Sequence, residues 1–286
     1  MYTAISSNKR KTFFLLAIFI AFISTLGYIF GAVTNNPSIF YYIGIGSLFY
    51  AGLSYYFSAK IALSMSGAKP VDRKQAPQLY TMIERLSTSA KLPMPKVYII
   101  NDSSPNAFAT GRNPKNAAVA VTSGLLEKLN DREVEGVLAH EMAHIGNYDI
   151  RLMSVVAALV SVVSIISDFF FWSSILGDDE APNPLVAIAV MIIAPMIALV
   201  IQLAISRKRE YLADATGAMI AKDADGLADA LEKISHSRPM HRGSSATAHL
   251  YIASPFGKGR GVANLFSTHP PAEERIRRLR DMEGQV

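Results

Sequence analysis

The sequence predicts a mainly α-helical chain with a small β-sheet and four hydrophobic helices. Long apolar stretches, a group of short β-rich runs between the second and third of them, and an H-E-x-x-H pattern inside a helical segment support this reading. Of the 286 residues, 50% are hydrophobic and mean hydropathy is positive, which is high for a soluble enzyme. There is no cysteine, so disulfides, thiol catalysis and a cysteine-ligated metal are excluded.

The four apolar stretches approach or exceed the ~20 residues that span a bilayer. They run from Thr12 to Val33, Ser38 to Ser58, Leu152 to Leu176 and Leu185 to Ile205, and Asp168 is the one charge inside them. Lys9, Arg10 and Lys11 precede the first stretch, so a cleaved signal peptide is its rival reading. Its apolar core is too long for that, and a second stretch follows at once. Lys60, Lys69, Arg73 and Lys74 follow the second stretch, and Arg207, Lys208 and Arg209 follow the fourth. The opposite loops, Thr34 to Pro37 and Gly177 to Pro184, carry no base. This bias places both termini and the polar segments in the cytoplasm. It also accounts for the formal charge of +5, with anionic lipid as the partner and no nucleic acid.

Helical spacing of Leu79, Met82, Ile83 and Leu86 predicts an amphipathic helix from Ala76 to Ala90. Strand-like runs follow at Lys96 to Asn101, Ala107 to Thr110 and Ala117 to Thr122, separated by turn-forming segments. The next helix should start at Asn130 or Asp131, with Glu133 completing a capping box on Asn130. Val134, Leu138 and Ile145 form its core stripe, Gly146-Asn147 its stop, and Asp149 a cap for the helix after it.

His140 and His144 lie four apart on that helix, so both imidazoles share a face with Glu141 beside them. This is zinc-peptidase geometry with one ligand missing, since catalytic zinc takes three protein ligands and leaves a position for water. Glu210 is the candidate third ligand, against the plainer reading that it pairs with Arg207 or Arg209. Asp214, one turn later on the same face, could orient a ligating imidazole. Two apolar segments separate His144 from Glu210, and an even number of crossings returns the chain to the side it left. They either both span or both lie as a hairpin against membrane or protein.

HEMAHIGNYD at His140 to Asp149, SRKREYLADA at Ser206 to Ala215 and FSTHPPAEERI at Phe266 to Ile276 together resemble the HtpX-type membrane zinc metalloproteases, relatives of the CAAX prenyl endopeptidases. The order of segments matches as well, except across Ser237 to Leu265, where no motif stands out.

The resemblance implies a zincin-like integral membrane endopeptidase of a bacterial inner membrane. It would hold one zinc per chain on His140, His144 and Glu210, with Glu141 as general base. It further implies an oxyanion role for His269 and a supporting role for Arg275. The substrates it implies are unfolded or damaged membrane proteins. An extended substrate could add to a strand edge at Asn106 to Thr110 or at Ala117 to Thr122, with Asn106, Ala107 and Phe108 as contacts. The chain then divides into a span pair at 1–60, a first catalytic part at 61–150, a hydrophobic hairpin at 151–205 and a second catalytic part at 206–286. A non-catalytic zinc-binding scaffold is the alternative function, and a transporter a weaker third, since the spans lack convergent polar residues. Oligomeric state is not legible.

Overall fold

The computed structural model describes residues 2–33, 35–161, 207–241, 244, 246–256 and 270–282. Most of the third expected span, the whole of the fourth, Asp168 and His269 lie outside the described residues.

Helices α1 (Tyr2–Val33) and α2 (Ser38–Met65) pack side by side as a hairpin. The connection is tight: Asn36 N–H donates to the Gly31 carbonyl, and Asn35 adopts a left-handed φ of 54°. Outward-facing rings such as Phe13, Phe14, Tyr42 and Phe49 are exposed, the arrangement expected of a surface that meets lipid rather than water. Among the described residues, Ile5–Tyr28 alone has the length and apolarity of a span. The expected second span forms a helix of sufficient length, α2.

The sheet has four strands in the order β1 (Ala68–Pro70), β2 (Lys96–Ile100), β4 (Ala117–Thr122), β3 (Ala107–Gly111). β2 runs parallel to β4, whereas β1 and β3 pair antiparallel with their neighbours. Strands β2, β3 and β4 fall where the alternation predicts them. β1 is too short to announce itself in the sequence. Because β4 is hydrogen-bonded on both sides, it offers no free edge, and the reading that placed a substrate at Ala117 to Thr122 is corrected. β3 is an edge strand.

Helix α3 (Pro77–Ser89) matches the predicted amphipathic helix and buries Leu79, Ile83 and Leu86. A short α4 (Ser123–Lys128) leads to α5 (Asp131–Gly146), the central helix, which is buried almost throughout. Its start is fixed by the expected capping box: Asn130 Oδ1 accepts from Glu133 N–H at 3.0 Å, and Glu133 Oε2 accepts from Asn130 N–H at 2.9 Å. Val134, Leu138 and Ile145 lie in the main core with Val97, Val119, Val121, Leu227 and Leu231. Such burial contributes on the order of 1.5–3 kcal/mol per large aliphatic side chain.

After α5 the chain turns at Tyr148, at φ 61°, into α6, helical from 149 and described as far as 161. Leu152, Val155, Val156 and Leu159 of α6 pack against Leu15 and Phe19 of α1, while Met153 and Ala157 face Phe108 and Tyr251. Three helices, α7 (Arg207–Ala221), α8 (Asp225–Ser235) and α9 (Ala272–Arg280), complete the fold. Two glycines allow their close approach to α5. A Cβ on Gly217 of α7 would lie 2.9 Å from His140 Cα, and one on Gly136 of α5 would lie 2.5 Å from Leu227 N of α8.

Candidate metal centre

Helix periodicity on α5 puts His140 and His144 on one face, and the glycine contact at Gly217 brings α7 close enough for Glu210 to meet them. The three side chains are 0%, 4% and 5% exposed as residues, and one donor atom from each lies within 4.8 Å of the others. His140 Nε2 and His144 Nε2 are 3.1 Å apart, with Glu210 oxygens 3.9 and 3.7 Å away respectively. Zinc–ligand bonds of ~2.1 Å in a tetrahedron would separate donors by roughly 3.4 Å, so the set has the right size.

The outer nitrogens decide the inner ones. His140 Nδ1 is 2.9 Å from Asp214 Oδ1, and His144 Nδ1 is 3.0 Å from Asp149 Oδ2. Each carboxylate accepts the Nδ1 proton and leaves the Nε2 lone pair facing inward. Two lone pairs at 3.1 Å repel unless a cation or a proton lies between them. Nitrogen and oxygen donors that converge in this way fit a divalent metal of zinc type.

The titration behaviour of the side chains themselves agrees. Burial lowers the His140 pKa to about 4, even though the bond to Asp214 opposes it. For His144 burial also works against the charge, but the Asp149 bond and the Glu210 charge prevail and raise it to about 9. Of the two rings, His144 is the one whose surroundings favour the charged form.

Glu141 is 1% exposed, and neither of its carboxylate oxygens has a hydrogen-bond partner of good geometry among the described residues. Burial pushes its pKa up to about 7; the His144 charge lowers it, Glu210 raises it, and the Ala109 backbone stabilises the anion weakly. An orphaned carboxylate in a dry site is costly unless a ligand or water meets it.

Arg275 is fully buried and grips Asp214 with two bonds, Nε to Oδ2 at 2.9 Å and Nη2 to Oδ1 at 2.7 Å. Its Nη1 donates to the Ile252 carbonyl at 3.0 Å and approaches Glu210 Oε2 at 3.8 Å. Burial would discharge Arg275, but the Asp214 carboxylate holds its pKa above the ordinary value. Burial likewise pushes Asp214 up, and Arg275 with His140 outweighs it, leaving a pKa of about 2.

The edge of β3 borders the site. Its outward backbone groups belong to Ala107, Ala109 and Gly111. Ile252 N–H already donates to the Ala107 carbonyl at 2.9 Å, and Gly111 N–H donates to Ser154 Oγ at 3.1 Å. Asn106 Nδ2 donates to the Ala253 carbonyl at 3.0 Å, and Phe108 stacks edge-on with Tyr251 at 5.0 Å. Ala109 is the edge position beside Glu141.

The structure thus gathers His140, Glu141, His144, Glu210, Asp214 and Arg275, and places Ala107 and Phe108 on the neighbouring strand with Asn106 just before it. Asp149, expected as a helix cap, instead orients His144; its position five residues after that histidine was the available signal. Ala109 falls within the run Asn106 to Thr110 read from the sequence as a possible edge, though its side chain did not single it out.

The sequence model of peptidase family M48 matches residues 73–283. The chain is 47% identical over 291 residues to "Protease HtpX homolog" of Tropheryma whipplei (strain Twist), which covers 100% of this chain and 99% of that protein. The protein of the same name from Syntrophobacter fumaroxidans is 48% identical over 285 residues, covering 96% and 99%. That from Thermococcus kodakarensis is 44% identical over 284 residues, covering 96% of each. Among solved structures, "Crystal Structure of S. mikatae Ste24p" aligns at a TM-score of 0.50 with 17% identity, over 98% of this chain and 67% of that one, a likeness of fold. With a matching family sequence model and relatives of this identity along its whole length, the chain belongs to peptidase family M48, among the HtpX-type membrane metalloproteases.

Proposed function

We propose that this metalloprotease is a zinc endopeptidase acting on unfolded or damaged membrane proteins, with His140, His144 and Glu210 as ligands and Glu141 as the proton carrier. The observation that carries this reading is the pair of facing Nε2 atoms beside Glu210, with the unpartnered carboxylate of Glu141 on the same helix.

When bound, zinc supplies Lewis acidity, polarising the scissile carbonyl and bringing the pKa of the attacking water to about 7. Glu141 takes the proton from that water. Burial favours its protonated form, so the same group can hold the proton and return it to the leaving amine. Asp214 and Asp149 hold the two rings in the ligating tautomer, and Arg275 neutralises Asp214 so that it can remain ionised while buried. His269 as an oxyanion donor, which would contribute about 3 kcal/mol, rests on the family pattern.

An extended polypeptide would lie antiparallel along β3 and pair with the outward C=O of Ala109, flanked by the Asn106 to Phe108 segment. Main-chain pairing of this kind reads backbone more than side chains, which suits varied unfolded substrates. The apolar stretches and their basic flanks support a multi-pass protein of the inner membrane with a cytoplasmic catalytic region, built from the segments 1–60, 61–150, 151–205 and 206–286.

Two measurements test the proposal. Purified protein in detergent with zinc should cleave unfolded casein, while Glu141→Gln binds zinc normally and is inert. Equal inertness of both would instead favour the non-catalytic scaffold. Metal content by mass spectrometry should fall in both His144→Ala and Glu210→Ala, and zinc retained in either would reject the ligand set.

A further inference from the structure

One side chain of α1 reaches into the metal centre. Asn8, just before the basic run Lys9 to Lys11 that leads into the apolar stretch of α1, is 2% exposed. An amide withdrawn from water is costly unless its hydrogen bonds are made, and Asn8 makes both of its donor bonds here. Its Nδ2 donates to Asp149 Oδ1 at 2.7 Å and to the Asn147 carbonyl at 3.0 Å. Asp149 then uses its other oxygen, Oδ2, for His144 Nδ1. The chain of contacts Asn8, Asp149, His144 is buried throughout, and Asn147 is the residue that ends α5. Two bonds from one amide therefore fasten the end of the ligand helix to the carboxylate that orients its second histidine.

The rest of α1 does not depend on this contact. Leu15 and Phe19 are packed against Leu152, Val155, Val156 and Leu159 of α6, so the helix stays docked when the amide is lost. Asp149 has two other charged neighbours, Lys11, which feels its charge, and Arg209, whose Nε lies at 3.9 Å, too far for a hydrogen bond. Without Asn8, Oδ1 loses its directed donor and the carboxylate is free to rotate away from His144.

We propose that Asn8 is a positioning residue of the metal centre: it holds Asp149 in the orientation that fixes His144, which makes the N-terminal membrane helix a structural part of the zinc site as well as an anchor. The inference rests on the reading of His140, His144 and Glu210 as ligands.

The test uses the full chain in detergent, with zinc affinity measured by chelator competition and ligand geometry by the visible spectrum of the cobalt-loaded protein. Losing an outer partner of a ligating histidine weakens metal binding by about 10- to 100-fold, and Asn8, one contact further out, belongs near the lower figure. Asn8→Ala and the near-isosteric Asn8→Leu should each weaken zinc by about 10-fold and shift the cobalt spectrum. In an Asp149→Ala background the same substitutions should have no further effect on either readout. Unchanged zinc affinity in both Asn8 variants overturns the inference, as does a loss that persists undiminished without Asp149. His144→Ala distinguishes the two levels. If it abolishes zinc binding while Asn8 variants bind normally, the inference alone fails; if it leaves zinc affinity intact, the ligand assignment fails with it.

Discussion

Replacing Gly217 with alanine perturbs the centre without touching a ligand. The added Cβ would sit 2.9 Å from both Cα and N of His140 and 3.1 Å from the Ala139 carbonyl carbon, where ordinary contact begins at 3.4 Å. All three neighbours are backbone atoms of a helix buried on every side, so no side-chain rotation relieves the clash. α5 and α7 must separate by about 0.5 Å, at a cost typical of overpacking, about 1–3 kcal/mol. Better helix propensity of alanine offsets up to about 1 kcal/mol of this. The larger effect falls on the metal, because Glu210 is on one of these helices and both histidines on the other. Metal–ligand distances tolerate only about ±0.2 Å, so zinc affinity should fall by on the order of 10- to 100-fold while stability of the zinc-free protein drops by up to about 2 kcal/mol. Chelator competition and thermal melts of the same samples separate the two. Gly46→Ala, in α2 with nothing within 4 Å of its Cβ, serves as the control and should bind zinc as the parent does. If Gly217→Ala binds zinc as tightly as Gly46→Ala, the idea that helix spacing sets the site is refuted.

Other perturbations probe separate parts of the argument. Arg275→Met leaves the buried Asp214 carboxylate without its cation and should cost about 3–5 kcal/mol in denaturation, a larger loss than any exposed arginine such as Arg278 would show. Asn130→Ala removes the capping box of α5 and should cost about 1 kcal/mol in melting with zinc affinity unchanged; a zinc defect would contradict the view that the cap acts only on helix stability. In the zinc-free protein His144 has a pKa raised from 6.5 to about 9, so its stabilising proton is fully present below pH 6.5 and is lost as pH rises to 9. Melting temperature in chelator should therefore decline over that window, while zinc affinity, which competes with the same proton, increases. A melting temperature flat from pH 6.5 to 9 would argue against the Asp149–His144 pairing.

Much of this protein is local and therefore legible in the chain. The H-E-x-x-H spacing, the capping box at Asn130 and Glu133, the strands at 96–100, 107–111 and 117–122 and the apolar run of α1 each depend on residues within a few positions of one another. Periodicity and short-range hydrogen bonding suffice for these, and the motif order carried the family. Glu210 and Asp214 were within reach for a related reason: helical spacing places them on one face, and the chemistry of a two-histidine site requires another ligand.

What folding had to decide is what no spacing encodes. Asp149 looks like a helix cap until α1 brings Asn8 against it and the turn at Tyr148 aims it at His144. Arg275 looks like one of several arginines on a solvated helix until α9 buries it against Asp214, 61 residues away in the chain. The free edge of the sheet could not be assigned to β3 rather than β4 before the strand order was known, because alternation reports which face a residue takes and is silent about which strand lies beside it. Local sequence specifies helices, strands and candidate donors; long-range packing, through the close contacts at Gly136 and Gly217, determines which donors share one point in space.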